Sequence, residues 1–373
     1  MKILHVVTLA SPDGAFGGPL RVALNQAAEL ARRGHDVQIA AGWRGKQQPP
    51  ASIDGVPARL FAAFRLIRPM GFSGMVSPGL TWWLARNVAK YDIVHVHAGR
   101  DLISTTSLAI ARVRRRPYVA QTHGMIQPDQ RLRARIMDAI AVRRLIAGAE
   151  RRFVLTREEE EGLRQVLGTS AECERLLNGV PELSAGATTR GGREVLFCAR
   201  LHPRKRPVAF VQVAAELARR GVAASFVLIG PDEGELAAVR QAIAEEGVAE
   251  LVRYEGALDY GAVVERMKRA DVYLLPSVHE PFPMSLLEAL SVGLPSVCTD
   301  SCDISSELRE LQAAVVTDGS IEAMADAVNA ILSDDGLRAE LSLKAVRAVH
   351  ERFSMEAVGA RLEHYYGLVD VAA

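Results

Sequence analysis

The sequence predicts an α/β protein built from two parallel-sheet domains in tandem. Three observations carry this. Short β-rich apolar runs alternate with stretches of helical periodicity from the first residues on. One small, polar stretch, 183–193, "LSAGATTRGGR", breaks the alternation near the middle of the chain. Directly after it the alternation starts again from a fresh strand, and 373 residues, 49% of them hydrophobic, are enough for two cores of ordinary domain size.

Taken in order, "KILHVVTL" reads as a buried strand that ends in the Gly-rich turn "SPDGAFGGP". "LRVALNQAAELARRG" then has apolar residues at helical spacing and stops at Gly34, and "HDVQIAAG" is the next strand. This βαβ unit is followed by the strands "YDIVHVHA", "PYVAQTHG" and "RRFVLTR", so the first domain is expected over 1–182 as a parallel sheet covered by helices on both faces. Beyond the linker, "EVLFCARL", "RPVAFVQVAAELARRG", "ASFVLIG", "LVRYEGAL", "ADVYLLPS" and "GLPSVCTD" repeat the plan over 194–352. The two domains are Rossmann-like, and facing each other they place a ligand in a central cleft beyond the strands' carboxyl ends. A C-terminal helix spans 353–373; periodicity does not fix its packing, and a return to the N-terminal domain is one option. Residues 64–87, "FRLIRPMGFSGMVSPGLTWWLARN", fit either a packed loop and helix or a lobe facing membrane or acceptor.

Net charge is only +1, but it is uneven: residues 1–182 carry 26 Lys and Arg against 16 Asp and Glu, and the remainder 19 against 28. A basic first half suggests that it faces an anionic surface. No apolar run reaches membrane-spanning length and "MKILHVVTLASPDG" lacks a leader pattern, so a cytoplasmic protein is expected. Cys173, Cys198, Cys298 and Cys302 fit neither a disulfide framework nor a zinc ribbon and read as reduced thiols. His95 and His97 share one face of a strand with no further ligand nearby in sequence, so no metal site is expected.

The chemistry concentrates in 278–295, "VHEPFPMSLLEALSVGLP". Pro283 suits the first position of a helix, where its missing N–H costs nothing, and Met284, Ser285 and Leu286 then offer free amides to a phosphate. Glu288, about a turn along, suits the vicinal hydroxyls of a ribose; Glu280, ahead of the helix, suits a sugar beyond the phosphates. Arg200 and Lys205 in "ARLHPRKRP" follow a strand and can neutralise a leaving diphosphate. Gly17 and Gly18 in "GAFGGP" leave room for a ligand at the matching turn of the first domain.

Nearly the whole chain resembles the retaining glycosyltransferases of the two-Rossmann-domain type called GT-B, family 4. The resemblance rests on "GAFGGPLRVALNQAAELARRGHDV", "VHVHAGR", "THG", "LLNGVPE", "CARLHPRKRP", "LIGPDEGEL", "YEGALD" and above all "PSVHEPFPMSLLEALSVGLPSVCTD", with its E-x7-E pattern. It implies that Glu280 touches donor-sugar hydroxyls and Glu288 the ribose, and that Phe282, Pro283, Met284 and Ser285 meet the diphosphate and sugar by backbone groups. Arg200 and Lys205 would stabilise the departing diphosphate. Leu258, Gly230 and Pro231 would frame the base, Gly17 and Gly18 make room for phosphate and acceptor, and His123 orient the sugar or the acceptor. His97 and Arg100 are acceptor-side candidates. Pro283 and Ala199 stand where the family often has glycine.

No cofactor is implied beyond a nucleotide sugar as co-substrate, GDP-mannose or a UDP-hexose, and front-face transfer needs no metal. The arginines of "ARVRRRP" and "QRLRARIMDAIAVRRLIAGAERR" point to an anionic membrane carrying a lipid-linked saccharide; no pattern suggests nucleic acid. Three rival readings share parts of this pattern: another GT-B enzyme such as a sugar-phosphate or sucrose-type synthase or a nucleotide-sugar epimerase, an NAD-dependent oxidoreductase, which would want GxGxxG, and a noncatalytic nucleotide-sugar-binding protein.

Overall fold

The computed structural model describes residues 1–12, 17–168, 171–183 and 192–367. Among them, 1–12, 17–179 and 355–367 form one compact unit, and 180–183 with 192–354 a second.

The first unit contains, in chain order, β1 (Lys2–Ala10), α1 (Gly17–Arg32), β2 (Asp36–Trp43), β3 (Ser52–Ile53), β4 (Val56–Ala62), β5 (Phe64–Arg65), β6 (Met75–Val76), α2 (Pro78–Asn87), β7 (Ile93–His97), α3 (Leu102–Val113), β8 (Tyr118–Gln121), α4 (Leu132–Met137), α5 (Arg143–Ala147), β9 (Arg151–Val154), α6 (Arg157–Leu167) and β10 (Glu174–Arg175). The main sheet runs β10-β9-β8-β7-β1-β2-β4-β3 and is parallel except for the β3–β4 pair. Strand order therefore reverses between β1 and β7, the point at which doubly wound sheets bind ligands. β1 is buried from Ile3 to Ala10, as a strand covered on both faces must be.

The second unit contains β11 (Glu194–Cys198), α7 (Pro207–Arg219), β12 (Ser225–Ile229), α8 (Leu236–Glu245), β13 (Val252–Gly256), α9 (Tyr260–Arg269), β14 (Val272–Leu275), α10 (Met284–Ser291), β15 (Ser296–Thr299), α11 (Ser305–Glu310), β16 (Val315–Thr317), α12 (Ile321–Ser333) and α13 (Asp335–Arg352). Its parallel sheet, β13-β12-β11-β14-β15-β16, has the same winding, with the reversal between β11 and β14. Side-chain caps start α9, α12 and α13: Asp259, Ser320 and Asp334 each accept the amide three residues on.

The last helix, α14 (Met355–Gly367), belongs to the first unit. Met355, Val358, Leu362 and Tyr366 enter the core that α1 forms with one face of the sheet. Gly359 lets the two helices approach, since a Cβ there would lie 2.6 Å from Glu29 Cγ. Arg33 and His35 fix the far end through Glu363 at 2.7 and 2.8 Å. Residues 64–87 are a β5–β6 hairpin followed by α2. Trp83 packs on Phe61, whereas Trp82 is 59% exposed, with the Arg86 guanidinium 3.9 Å above its ring.

Candidate functional site

In the second unit, the loops that follow β11 and β14 meet beyond the reversal of strand order. Lys205 Nζ lies 2.6 Å from Glu280 Oε2, and each side chain is only 11% exposed. Two left-handed residues set up this contact: Arg206, φ 50°, directly after the lysine, and His279, φ 50°, directly before the glutamate. The backbones are tied as well, Val278 N to Arg204 O at 2.9 Å and Asp303 N to Glu280 O at 3.0 Å. Arg206 donates to the carbonyl of Gly319 at 2.9 Å, so the loop is braced from the β16 side too.

Beside this pair α10 begins. Pro283 is its N-cap, one position earlier than the sequence suggests, and Met284 is the first helical residue. The carbonyl of Pro283 takes the amide of Leu286 at 3.1 Å, which leaves Met284 and Ser285 as the amides with no carbonyl a turn back. The Ser285 hydroxyl sits 2.7 Å from the Tyr273 hydroxyl, itself 3.1 Å from the carbonyl of Cys198. Glu288 is buried on α10, and its charge, after burial itself, helps push the Cys198 thiol up to about 12. Cys298 is likewise pushed up to about 12 by burial, so neither is a ready nucleophile. Phe282 turns its ring into the core against Phe353, centroids 6.2 Å apart.

The remaining residues of this unit are spread along the carboxyl edge. Gly230, φ 144°, ends β12 where a Cβ would stand 1.9 Å from the carbonyl oxygen of Ala199, so no other residue fits. Pro231 accepts the amide of Leu201 at 2.9 Å, and Leu258 lies half-buried in the loop between β13 and α9. Arg200 is bound to Glu233 at 2.8 Å and is 46% exposed; it does not touch the Lys205–Glu280 pair in this state.

In the first unit the notable feature is a row of buried histidines at the reversal of strand order. His5 of β1 and His95 and His97 of β7 are wholly buried. His97 is held by His5 Nδ1 at 3.0 Å and by His123 Nε2 at 2.8 Å, and His95 Nδ1 meets the Tyr366 hydroxyl of α14 at 2.6 Å. His97 thus presents nothing directly to an acceptor; any effect on a ligand runs through His123. Arg100 is clamped by Asp138 at 2.7 Å and by the carbonyl of Gln127 at 2.6 Å, so it orders the loop after β8. Gly17 and Gly18 open α1, and a Cβ on Gly18 would meet nothing within 4 Å; Asp13–Phe16 of the same turn lie outside the described residues.

The nitrogens of His5, His95 and His97 lie within 4.8 Å of one another. The His95 and His97 rings are parallel within 5°, however, and His97 has both nitrogens engaged. Their lone pairs run side by side instead of converging, a hydrogen-bonded array rather than a ligand set.

Sequence reading missed Glu159. This buried α6 carboxylate accepts from Thr122 Oγ1 and the amide of Gly124, both at 2.5 Å, and from the amide of Leu155 at 2.7 Å. It grips both neighbours of His123 and holds that residue left-handed at φ 51°. Its signal was present: Thr156, three residues earlier, caps α6 by accepting the Glu159 amide at 3.1 Å. His5 and Tyr366 had no signal, because nothing in sequence relates β1 to the last helix.

Two units, each built on a Rossmann-like parallel sheet with helices on its faces, define a two-domain α/β protein. Residues 17–179 match the sequence profile described as a glycosyl transferase 4-like domain, and 185–347 the one described as glycosyl transferases group 1. The chain belongs to glycosyltransferase family 4, with the GT-B fold. It is 27% identical to a D-inositol 3-phosphate glycosyltransferase of Nocardia farcinica, over 92% of this chain and 83% of that one. It is 26% identical to a phosphatidyl-myo-inositol mannosyltransferase of Mycobacterium leprae, over 95% and 93%. The crystal structure of Anabaena HepE in complex with UDP and glucose superposes with a TM-score of 0.77 at 17% identity, covering 99% of this chain and all of that one.

The histidine row has a consequence for stability. Burial pushes His5 and His123 down to about 3, and pushes His95 and His97 well below their ordinary 6.5. The unfolded chain binds these protons near pH 6.5 and the folded chain does not, so stability is full above 6.5 and falls as pH drops toward 3. Each ring contributes up to about 1.4 kcal/mol per pH unit. Asp101 and Glu159, whose carboxyls burial pushes up, take up protons in the folded chain as pH falls and so work against this loss. All three tryptophans, Trp43, Trp82 and Trp83, lie in the first unit, so their fluorescence isolates it. The melting temperature they report should drop steeply between pH 7 and pH 5; a flat profile would mean that the rings are not buried neutral.

Proposed function

We propose that the chain is a retaining glycosyltransferase that moves a hexose from a nucleotide diphosphate sugar to a hydroxyl of a glycan or lipid-linked saccharide. The observation that carries this is the half-sequestered Lys205–Glu280 pair next to the open amides of α10, with Glu288 a turn along. A diphosphate on Met284 and Ser285 gains from two amides and the positive helix end. Glu288 then receives the ribose hydroxyls and Glu280 those of the sugar, while Leu258, Gly230 and Pro231 frame the base. GDP-mannose and a UDP-hexose are the leading donors: one relative is named a mannosyltransferase, and one fold neighbour was solved with UDP and glucose.

In the transfer, the bond from the anomeric carbon to the diphosphate oxygen breaks and the acceptor oxygen bonds that carbon on the same face. The acceptor proton passes to the departing diphosphate. Lys205, the α10 terminus and Arg200, released from Glu233, balance the charge that develops, so neither a metal nor a further cofactor is required. His123 engages a hydroxyl of the sugar or the acceptor. A synthase acting on a free sugar phosphate would use the same donor residues and is the second reading.

The acceptor is proposed to be presented at an anionic membrane surface on the cytoplasmic side. Among the described residues no helix is long and apolar enough to cross a membrane. Leu132, Ile136 and Ile140 are 71%, 47% and 75% exposed along one stripe of α4 and the turn after it. Arg131, Arg133, Arg135, Arg143 and Arg144 surround them, all exposed.

Two measurements bear on these readings. Purified protein with GDP-mannose, UDP-glucose, UDP-galactose and UDP-N-acetylglucosamine should bind and slowly hydrolyse one of the four. Glu280→Ala and Lys205→Ala should each lower turnover by about 10²- to 10³-fold; binding of NAD with no sugar nucleotide bound would reject a transferase. Cosedimentation with vesicles rich in phosphatidylserine should exceed that with neutral vesicles and fall in an Arg133→Glu, Arg143→Glu, Arg144→Glu variant. Equal partition of both proteins on both lipids would remove the membrane from the proposal.

A further inference from the structure

His97 joins His5 to His123 through both of its nitrogens. The rings meet end to end: His97 and His123 have centroids 5.0 Å apart and planes 10° apart, and His5 and His97 5.4 Å and 30°. Burial keeps all three neutral, so each ring has one N–H and one lone pair. Only two proton arrangements satisfy both contacts. In one, His5 donates from Nδ1, His97 accepts at Nε2 and donates from Nδ1, and His123 accepts at Nε2 and carries its own proton on Nδ1. In the other every proton is reversed, and His123 ends with a bare Nδ1.

The far end of the row decides between them. His5 Nε2 is buried and has no partner among the described residues. The first arrangement leaves a lone pair there, the second an N–H, and an orphaned buried donor is the rarer and more costly of the two. At the near end, the His123 ring is half-buried, and Nδ1 has no partner among the described residues. Glu159 fixes the backbone on both sides of it.

We propose that His97, oriented by His5, is a positioning residue that holds His123 in its Nδ1–H form, so that His123 serves the ligand as a hydrogen-bond donor and not as a general base. This rests on the reading that a sugar nucleotide or its acceptor binds at the carboxyl edge of the first unit's sheet. It requires the acceptor proton to leave by another route, which the departing diphosphate supplies.

The test uses the full chain labelled with ring-¹⁵N histidine, without ligand, observed by long-range proton–nitrogen correlation. The His123 signals are identified by their loss in His123→Asn. Expected is a protonated Nδ1 and a bare Nε2 on His123; the opposite pattern overturns the proposal, whatever the activity. In turnover, His97→Leu should lower kcat by about 10- to 100-fold with the donor KM changed less than about threefold. His97→Gln, whose amide can donate to His123 Nε2, should recover most of the loss. A His97→Leu enzyme that melts and turns over like the wild type also overturns it. If no sugar nucleotide is turned over at all, the functional reading fails while the spectrum still reports the tautomer.

Discussion

The nearly buried ion pair between Lys205 and Glu280 is the contact on which the second unit's candidate site depends. It stands where the strand order of the sheet reverses, between β11 and β14, and there the two following loops diverge to opposite faces. Without a bond between them that edge would be an open furrow. With it, the lysine is held at the rim of the α10 terminus and the glutamate is kept from swinging into solvent. A pair so shielded is screened little by salt, and removing one partner leaves the other charged and poorly solvated. That property suits the proposed donor site, where an incoming diphosphate would compete for the lysine.

The backbone provides for this at a local cost. His123, Arg206 and His279 are non-glycine residues in the left-handed region, each just beyond the end of a parallel strand or its loop, and Gly230 is positive as well. Such conformations cost about 1–3 kcal/mol each and persist where surrounding contacts over-determine them. Here those contacts are visible: Glu159 on either side of His123, the Gly319 carbonyl on Arg206, Ser301 Oγ on the amide of His279 at 2.7 Å. The two units reach one solution by different chemistry, since an ion pair spans the reversal in one and a chain of neutral rings spans it in the other.

Much of this was legible in the sequence for identifiable reasons. Central parallel strands are predominantly apolar, so β1, β7, β11 and β14 stood out, and the alternation with helices fixed the winding. The spacing of Glu280 and Glu288 around Pro283 announced a helix start flanked by carboxylates, wrong by one position because a proline N-cap and a proline at the first turn look alike in sequence. What was not legible depends on contacts between distant segments. Only packing brings Tyr366 of α14 onto His95, and only the register of β1 against β7 sets His5 opposite His95 and within reach of His97. His97 therefore read as an acceptor-side candidate, although burial on both faces of the sheet leaves it no surface to meet an acceptor. Arg100 read as an acceptor group because its partner, Asp138, lies 38 residues away on a separate helical segment.

The most direct measurement is amide hydrogen exchange of the full chain with and without UDP and GDP. Binding at the proposed donor site should slow exchange in 200–206 and 278–290 together, since one diphosphate would load the Lys205 loop and the α10 terminus at once. Protection confined to other segments, or none with either nucleotide or its hexose conjugates, would contradict a nucleotide-sugar site built on Lys205, Glu280 and Glu288.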